Sequence, residues 1–473
     1  LFAGSFVSFN SFASSLTVVS FTIFLPLSNS RALKVPLSSC KCASKGLRLF
    51  FFSSSVKLKI SLNFSDEIKE YFTKTYDGVP AVGINENNAI CVNGKPFFPI
   101  FPWGLSTTSY GNWANNSYLN SLCGTGWWQE NLTSWKNYLA QAGQYNLPFI
   151  GPAMWEGLPG TVEGGKEKRN ADINIMAQYV NETKDTENLL MWCWLDEPDL
   201  GGGEHTTAPV VRSWDYKCHQ LDPHHLMYTN LVGYAFSKNA SDYTKDHIKE
   251  YCYLYSAPSF GGRKTLMTDV YCFDYYPYEY GDDSRYSVND MIFAMERIQE
   301  WNYNLVPFMT WVEVCDIEAD QDPPPTPEQL KHIIWVNIIH GAKGIGWFNH
   351  FYEIGTERFA VMSEFVRQLD TLAPIILGPE PEIEVTDDAN QTGRRIDVMV
   401  RTDSLYIYLF TVRVTEPEES NQAPIQVTFN VADGGDGEVE VYGESRKLTI
   451  SNGTFSDSFA PCDVHIYKIA QQV

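Results

Sequence analysis

No apolar run in the 473 residues reaches the roughly 18–20 positions that a membrane-spanning helix requires, so no spanning segment is expected. Positive charge is scarce as well. Lys and Arg number 35 against 57 Asp and Glu, for a formal net charge of −22. The first 65 residues hold Arg31, Lys34, Lys41, Lys45, Arg48, Lys57 and Lys59 with no acidic residue, which leaves about −29 on the remainder. A body that acidic repels phosphate backbones and anionic lipid surfaces, so neither nucleic acid nor a membrane is the expected partner. A neutral ligand fits better.

Metal and cofactor signals are missing too. The ten cysteines show no C-x-x-C spacing, and neither a Ser-His-Asp arrangement nor a phosphate-binding glycine loop with its Lys is present. No metal or cofactor is therefore expected, and Gly201-Gly202-Gly203 reads as a flexible loop. Eight cysteines (Cys91, Cys123, Cys193, Cys218, Cys252, Cys272, Cys315, Cys462) are scattered along the chain, several inside apolar runs. They read as buried thiols, with one or two disulfides left open.

What the chain does have is aromatic content, 14% with 13 Trp, and N-x-S/T sequons at Asn63, Asn115, Asn131, Asn181, Asn239, Asn390 and Asn452. The sequons point to a secretory route. Residues 1–75 read as a leader outside the fold: a signal-like apolar core from Ala13 to Leu27, a plastid transit segment or upstream translation.

From residue 80, GINENNAICVNGKP reads as a hairpin with its turn at Asn93-Gly94, followed by FFPIFPWGL as a first strand. Short apolar runs then alternate with helix-period segments, the pattern of β/α units on a parallel sheet. The strands are expected at 147–155, 188–195, 225–233, 268–276, 305–314 and 342–348, and a weakly patterned second strand near Leu122 to Trp128. Helices are expected at 129–144, 171–184, 207–221, 286–301, 326–340 and 356–373. This is a (β/α)8 TIM barrel over 80–377. After Pro374 the period changes to two, in IDVMV, SLYIYLFTV, IQVTFNV, GEVEVYG and DVHIYKI, which predicts a small antiparallel β-sandwich over 378–473 packed directly on the barrel.

In such a barrel the reacting groups leave the C-terminal ends of the strands. The run NLLMWCWL delivers Asp196-Glu197-Pro198-Asp199, and LVPFMTWV delivers Glu313. Either glutamate alone reads equally well as a helix cap or a strand-end ion pair. Together, on the fourth and seventh strands, they supply what glycosidic cleavage needs: an acid for the leaving oxygen and a carboxylate for the anomeric carbon. Asp316, Glu318 and Asp320 are the rivals to Glu313. His224 and His225 fall at the opposite end of the barrel and read as surface or capping residues.

These residues resemble the clan-A type glycoside hydrolases, together with VNGKPFFPI, LDPHHLMYTN, FDYYP, PTPEQLKHIIWVNIIHGAKGIGWF and LAPIILG taken in order. The resemblance covers about 85–377 and extends to the trailing sandwich. It implies Glu197 as general acid/base, Glu313 as nucleophile and retention of anomeric configuration. It also implies that Asp196, where the clan usually has Asn, accepts from a sugar hydroxyl and helps keep Glu197 protonated. Tyr276, on the same face as Asp274, is the candidate to hydrogen-bond Glu313. Trp347 is the candidate platform under the sugar, with a core Trp as the other reading; Trp103 and Trp155 read first as core packing and then as further subsites, and Asn230, at the end of the fifth strand, is a further candidate to touch substrate. The expected activity is hydrolysis of β-glycosidic bonds in a neutral oligo- or polysaccharide. A non-catalytic carbohydrate-binding barrel and a cell-wall transglycosylase stay open as alternatives.

Overall fold

The structure is a computed structural model. It describes residues 82–124, 131–152, 173–194, 196–199, 208–238, 240, 249–252, 268–278, 286–317, 323–349 and 353–472, with short strands before residue 75 and at 255–256 and 264–265. Leu1–Lys74 is a unit of its own. Its described residues are short strands, Phe6–Ser8 antiparallel to Arg48–Phe50, and Ser20–Ile23 between Leu33–Lys34 and Leu58–Ser61. The sequence had placed no elements there.

The second unit opens with Val82–Ile84 against Ile90–Val92, and the expected hairpin turn joins Ile90–Val92 to Lys95–Pro96. Asn93 and Gly94 take left-handed φ values of 52° and 75°, the geometry a tight hairpin turn requires. Eight parallel strands follow: β1 (Ile100–Pro102), β2 (Leu122–Cys123), β3 (Phe149–Pro152), β4 (Leu189–Cys193), β5 (Leu226–Val232), β6 (Val270–Asp274), β7 (Phe308–Glu313) and β8 (Ile345–Phe348). They pair in the order β2 to β8 and then β1. A parallel bridge between Trp103 and Cys123 joins the two ends of the sheet. The weak second strand is real but only two residues long, which is why its pattern is faint.

Period-two alternation sends one face of each strand inward. Phe101, Trp311 and Tyr228 meet edge-to-face inside, with ring centroids 5.0 Å apart for Phe101 and Trp311 and 6.4 Å for Phe101 and Tyr228. Gly346 makes room for them. A Cβ there would lie 2.3 Å from Trp311 and 2.7 Å from Phe101. The barrel is a packed core, as parallel barrels of this size are.

Among the described residues the helices on the second unit include α1 (Tyr110–Asn115), α2 (Leu132–Gly143), α3 (Ile173–Thr183), α4 (Ala208–Leu221), α5 (Val288–Trp301), α6 (Pro327–Ile339) and α7 (Thr356–Ile376). Ser287 caps α5 by accepting from Asp290 N–H, and Thr326 with Gln329 forms a capping box on α6 with Pro327 in its first turn, where proline forfeits no bond. Helix α7 runs on through Pro374 rather than stopping before it; in the last turn one absent N–H does not break the helix. Among the described residues no helix is long and apolar enough to cross a membrane.

The C-terminal part is two antiparallel sheets. β9 (Val385–Asp387), β12 (Ile425–Val431) and β15 (Thr454–Phe459) form one. β10 (Arg395–Thr402), β11 (Tyr406–Val414), β16 (Val464–Ala470), β13 (Gly437–Val441) and β14 (Arg446–Ile450) form the other. Strand β11 is buried on both faces. Ile407 and Leu409 pack into the core between the sheets, while Tyr408, Phe410 and Val412 join the barrel core. The Phe410 ring stacks on Trp335 of α6 at 5.6 Å. Glu416, beyond β11, accepts from the free N–H groups of Val288 and Asn289 at 2.8 and 3.0 Å. A sandwich residue thereby caps a barrel helix, where a carboxylate also suits the helix dipole.

Candidate active site

The β4 exit segment is pinned from its far end. Asp199 is buried and accepts the N–H of Val232, at the end of β5, with both carboxylate oxygens at 3.1 and 3.2 Å. Between that anchor and β4, Glu197 takes a left-handed φ of 41°, which costs a non-glycine residue on the order of 1 kcal/mol. Asp196 beside it accepts from Asn230 Nδ2 at 2.9 Å. The strand-end residues Asp196 and Asn230 are thus brought together.

Asp274 ends β6 on the inward face, in register with Trp311 of β7. Gly233 lets the chain pass closely there, since a Cβ would fall 2.0 Å from the Asp274 carbonyl oxygen. The Asp274 carboxyl is within hydrogen-bonding reach of Glu197. Burial, and then Asp274, push Glu197 up to about 10. Burial and the Glu197 charge raise Asp196 to about 7, although the Asn230 bond opposes it. Burial raises Asp274 to about 7 and Asp199 to about 8. At neutral pH Glu197 therefore keeps its proton most firmly, while Asp196 and Asp274 lie near half-titration. Asp196 was expected to protect the Glu197 proton; the side chain acting on it most strongly is Asp274.

Glu313 ends β7 with no solvent exposure, and its Oε1 accepts the backbone N–H of Tyr278 at 2.8 Å. Tyr276, the expected donor, does not reach it. Its ring stacks on Phe348 at 5.0 Å and its hydroxyl has no hydrogen-bond partner. The correction follows from chain direction. The Tyr276 ring packs on Phe348 of β8 instead, and the turn after it brings a backbone donor, not a side chain, to Glu313.

Trp347 is a second correction. Its register partners are Val312 and Pro102, on the outward face of the barrel. Its indole N–H donates to the Tyr118 carbonyl at 2.8 Å and its ring meets Phe365 of α7. It is a core residue. The aromatic in register with Glu313 is Phe348. Trp103 does project inward at the end of β1, partly exposed and 5.5 Å from Trp311. Trp155 lies outside the described residues, as do Glu318 and Asp320, and Asp316 is half-buried in the loop beyond β7.

Three buried polar atoms in this region have no partner: Asn230 Oδ1, Asp274 Oδ1 and Tyr276 Oη. Buried polar groups are almost always paired, so these three atoms are available to water or to a polar ligand. Sequence reasoning missed Asp274 as the Glu197 partner, and also Asp199 and Tyr278. The strand-end position of Asp274 was the available signal; a backbone donor leaves none.

At the opposite end of the barrel His225 is fully buried rather than superficial, with Nδ1 2.8 Å from Asp222. Nearby, His219 Nε2 lies 2.8 Å from Asp269 and Nδ1 3.3 Å from Asp215. Burial works against the imidazolium, but Asp269 and Asp215 outweigh it and hold His219 well above its ordinary value. These three side chains are a donor set within a metal ion's reach that the sequence spacing did not announce, and the His219 charge already neutralises it. Among the described residues the eight cysteines are buried and none is joined in a disulfide.

Fold and site together define a (β/α)8 barrel with a carboxylate-lined C-terminal end and a trailing β-sandwich, the architecture that the clan-A resemblance implies. No family model matches the sequence, and no curated protein matches it. Solved structures do resemble it. An AmyP variant in complex with maltotriose matches over 80% of this chain and 97% of its own, with TM-score 0.50 and 9% identity. A bifunctional glucanase-xylanase from a metagenome library, CelM2, covers 78% and 95% with TM-score 0.49 and 10% identity. A GH30 endoxylanase from Clostridium papyrosolvens covers 83% and 98% with TM-score 0.46 and 14% identity. At these identities the likeness is one of fold.

Proposed function

We propose that the protein is a retaining glycoside hydrolase that cleaves β-glycosidic bonds of a neutral oligo- or polysaccharide. One observation carries this reading: the β6 exit segment, Asp274 to Tyr278, touches both strand-end glutamates and treats them oppositely. Its first residue faces Glu197, whose proton is held tightly. Its last donates an N–H to Glu313, the interaction that suits a carboxylate. An acid and a nucleophile differ in the same way.

In the reaction, a Glu313 oxygen bonds to the anomeric carbon as the bond to the leaving oxygen breaks, and Glu197 gives that oxygen its proton. Water then attacks the same carbon, Glu197 takes a proton from it, and the ester to Glu313 breaks to release the sugar with its configuration retained. One water is consumed per bond. The orphaned Asn230, Asp274 and Tyr276 atoms fit a ligand rich in hydroxyls, and the acidic body favours an uncharged one. Trp103 offers an inward ring face for a pyranose. Asn115, Asn131, Asn181, Asn390 and Asn452 are all exposed, as glycan attachment needs, which supports a secreted glycoprotein.

The test is a panel of β-linked glucans, xylans and mannans, followed by the Glu313→Gly variant on activated aryl β-glycosides. Hydrolysis in the wild type is expected to give a first product of retained configuration by NMR. The variant should be inactive until azide restores turnover and yields the inverted glycosyl azide. An inverted first product from the wild type would sink double displacement, and an active Glu313→Gly would move the nucleophile elsewhere.

A further inference from the structure

The Tyr278 N–H that holds Glu313 comes from a turn beyond the end of β6, so no strand pairing sets its position. The phenol is buried, and its Oη lies 3.0 Å from Nδ1 of His332 on α6 and 4.0 Å from Sγ of Cys462 in the sandwich. Cys462 sits in the turn before β16 with a left-handed φ of 63°. Its N–H donates to Thr415 Oγ1 at 3.0 Å, and that hydroxyl donates to the Arg413 carbonyl at 3.0 Å.

Burial pulls His332 down to about 4 while the Arg413 backbone opposes it, so the ring is neutral, and one hydrogen bond joins its Nδ1 to the phenol. Besides His332, the titratable groups acting on Tyr278 are Cys462, Glu313 and Glu416. Two of these, Cys462 and Glu416, come from the sandwich. The contact path therefore runs from the second domain through one phenol to the nucleophile's donor.

We propose that Tyr278 is a positioning residue through which the β-sandwich, by way of Cys462 and the α6 face it packs on, holds Glu313 in its attacking position. The inference rests on Glu313 being the nucleophile. It makes the sandwich part of the working site and not only a cover for the barrel. A displaced carboxylate loses near-attack geometry while the sugar-binding groups stay in place, and small displacements of that kind cost about 10- to 100-fold in rate. The signature is a fall in kcat with KM held.

The experiment uses the full chain, with 2,4-dinitrophenyl β-glycosides of glucose, xylose and mannose as substrates. The corresponding 2-deoxy-2-fluoro glycosides serve as covalent probes, with labelling of Glu313 followed by intact mass and peptide mapping. Tyr278→Phe keeps the ring and the backbone N–H and removes only Oη. It is expected to lower kcat and the labelling rate about 10-fold with KM changed less than about 2-fold. Cys462→Ala, made on the sandwich side, should shift the same two rates in the same direction by about 3-fold, and it carries the test if the phenylalanine variant fails to fold. Wild-type labelling rates in the folded variants would overturn the positioning role while leaving Glu313 as nucleophile. Labelling of the wild type at another residue would overturn the nucleophile assignment and this inference with it.

Discussion

Asp274 and Glu197 face each other with their carboxyls in hydrogen-bonding reach, one at the end of β6 and the other in the exit segment of β4. Two carboxyls so close cannot both ionise cheaply. One proton is retained between them, and Glu197, raised further than Asp274, keeps it, as the proposed general acid would.

Glu197→Gln is therefore expected to lose far more activity on natural glycans than on dinitrophenyl glycosides, whose leaving group needs no proton. General acid catalysis contributes about 10²- to 10⁴-fold, so the gap between the two substrate types should be of that order. Steady-state rates on both decide it. Equal losses would remove Glu197 from the acid role.

Asp274→Asn bears on the pH profile. Activity requires Glu197 protonated, so kcat/KM falls as pH rises through its pKa, which burial and Asp274 hold far above the ordinary value. Removing the Asp274 charge removes one of the two causes and leaves burial. The alkaline limb should move to lower pH. A profile from pH 4 to 10 checks this; an unmoved alkaline limb would mean that Asp274 does not act on the acid.

His219 concerns stability instead. Its folded pKa is raised, so the stabilisation it contributes is fully present below its unfolded value of about 6.5 and is lost as pH rises through the folded value. His219→Gln leaves the buried Asp215 and Asp269 without their shared cation, at a cost of about 3 kcal/mol. Urea unfolding at pH 6.5 should show that difference, and a shrinking one at alkaline pH. A difference independent of pH would mean that packing, not charge, accounts for the loss.

Strand alternation accounts for much of what could be read in advance. Apart from the two-residue β2, each barrel strand is a short apolar run, so the strands follow from local pattern alone. The two glutamates stand out for the same reason: a charge ending a run of buried residues has few structural explanations. The period-two runs after Pro374 likewise announce the sandwich, although β9, β14 and β15, short or mostly polar, do not announce themselves.

Side-chain direction at a strand end is a different matter. Trp347 and Phe348 are adjacent and both aromatic, and only the register with Val312, Glu313 and Pro102 tells which one turns inward. The sequence by itself determined the strands, the helices and the two glutamates at the strand ends, because hydrophobic burial acts with a period that neighbouring residues reveal. Only the tertiary structure decided that Asp274 attends Glu197, that a backbone N–H of Tyr278 holds Glu313, and that a cysteine of the sandwich lies behind that tyrosine. Those contacts join residues from 35 to 184 positions apart, and one of their donors is a peptide group that every residue but proline carries. No local pattern can distinguish it.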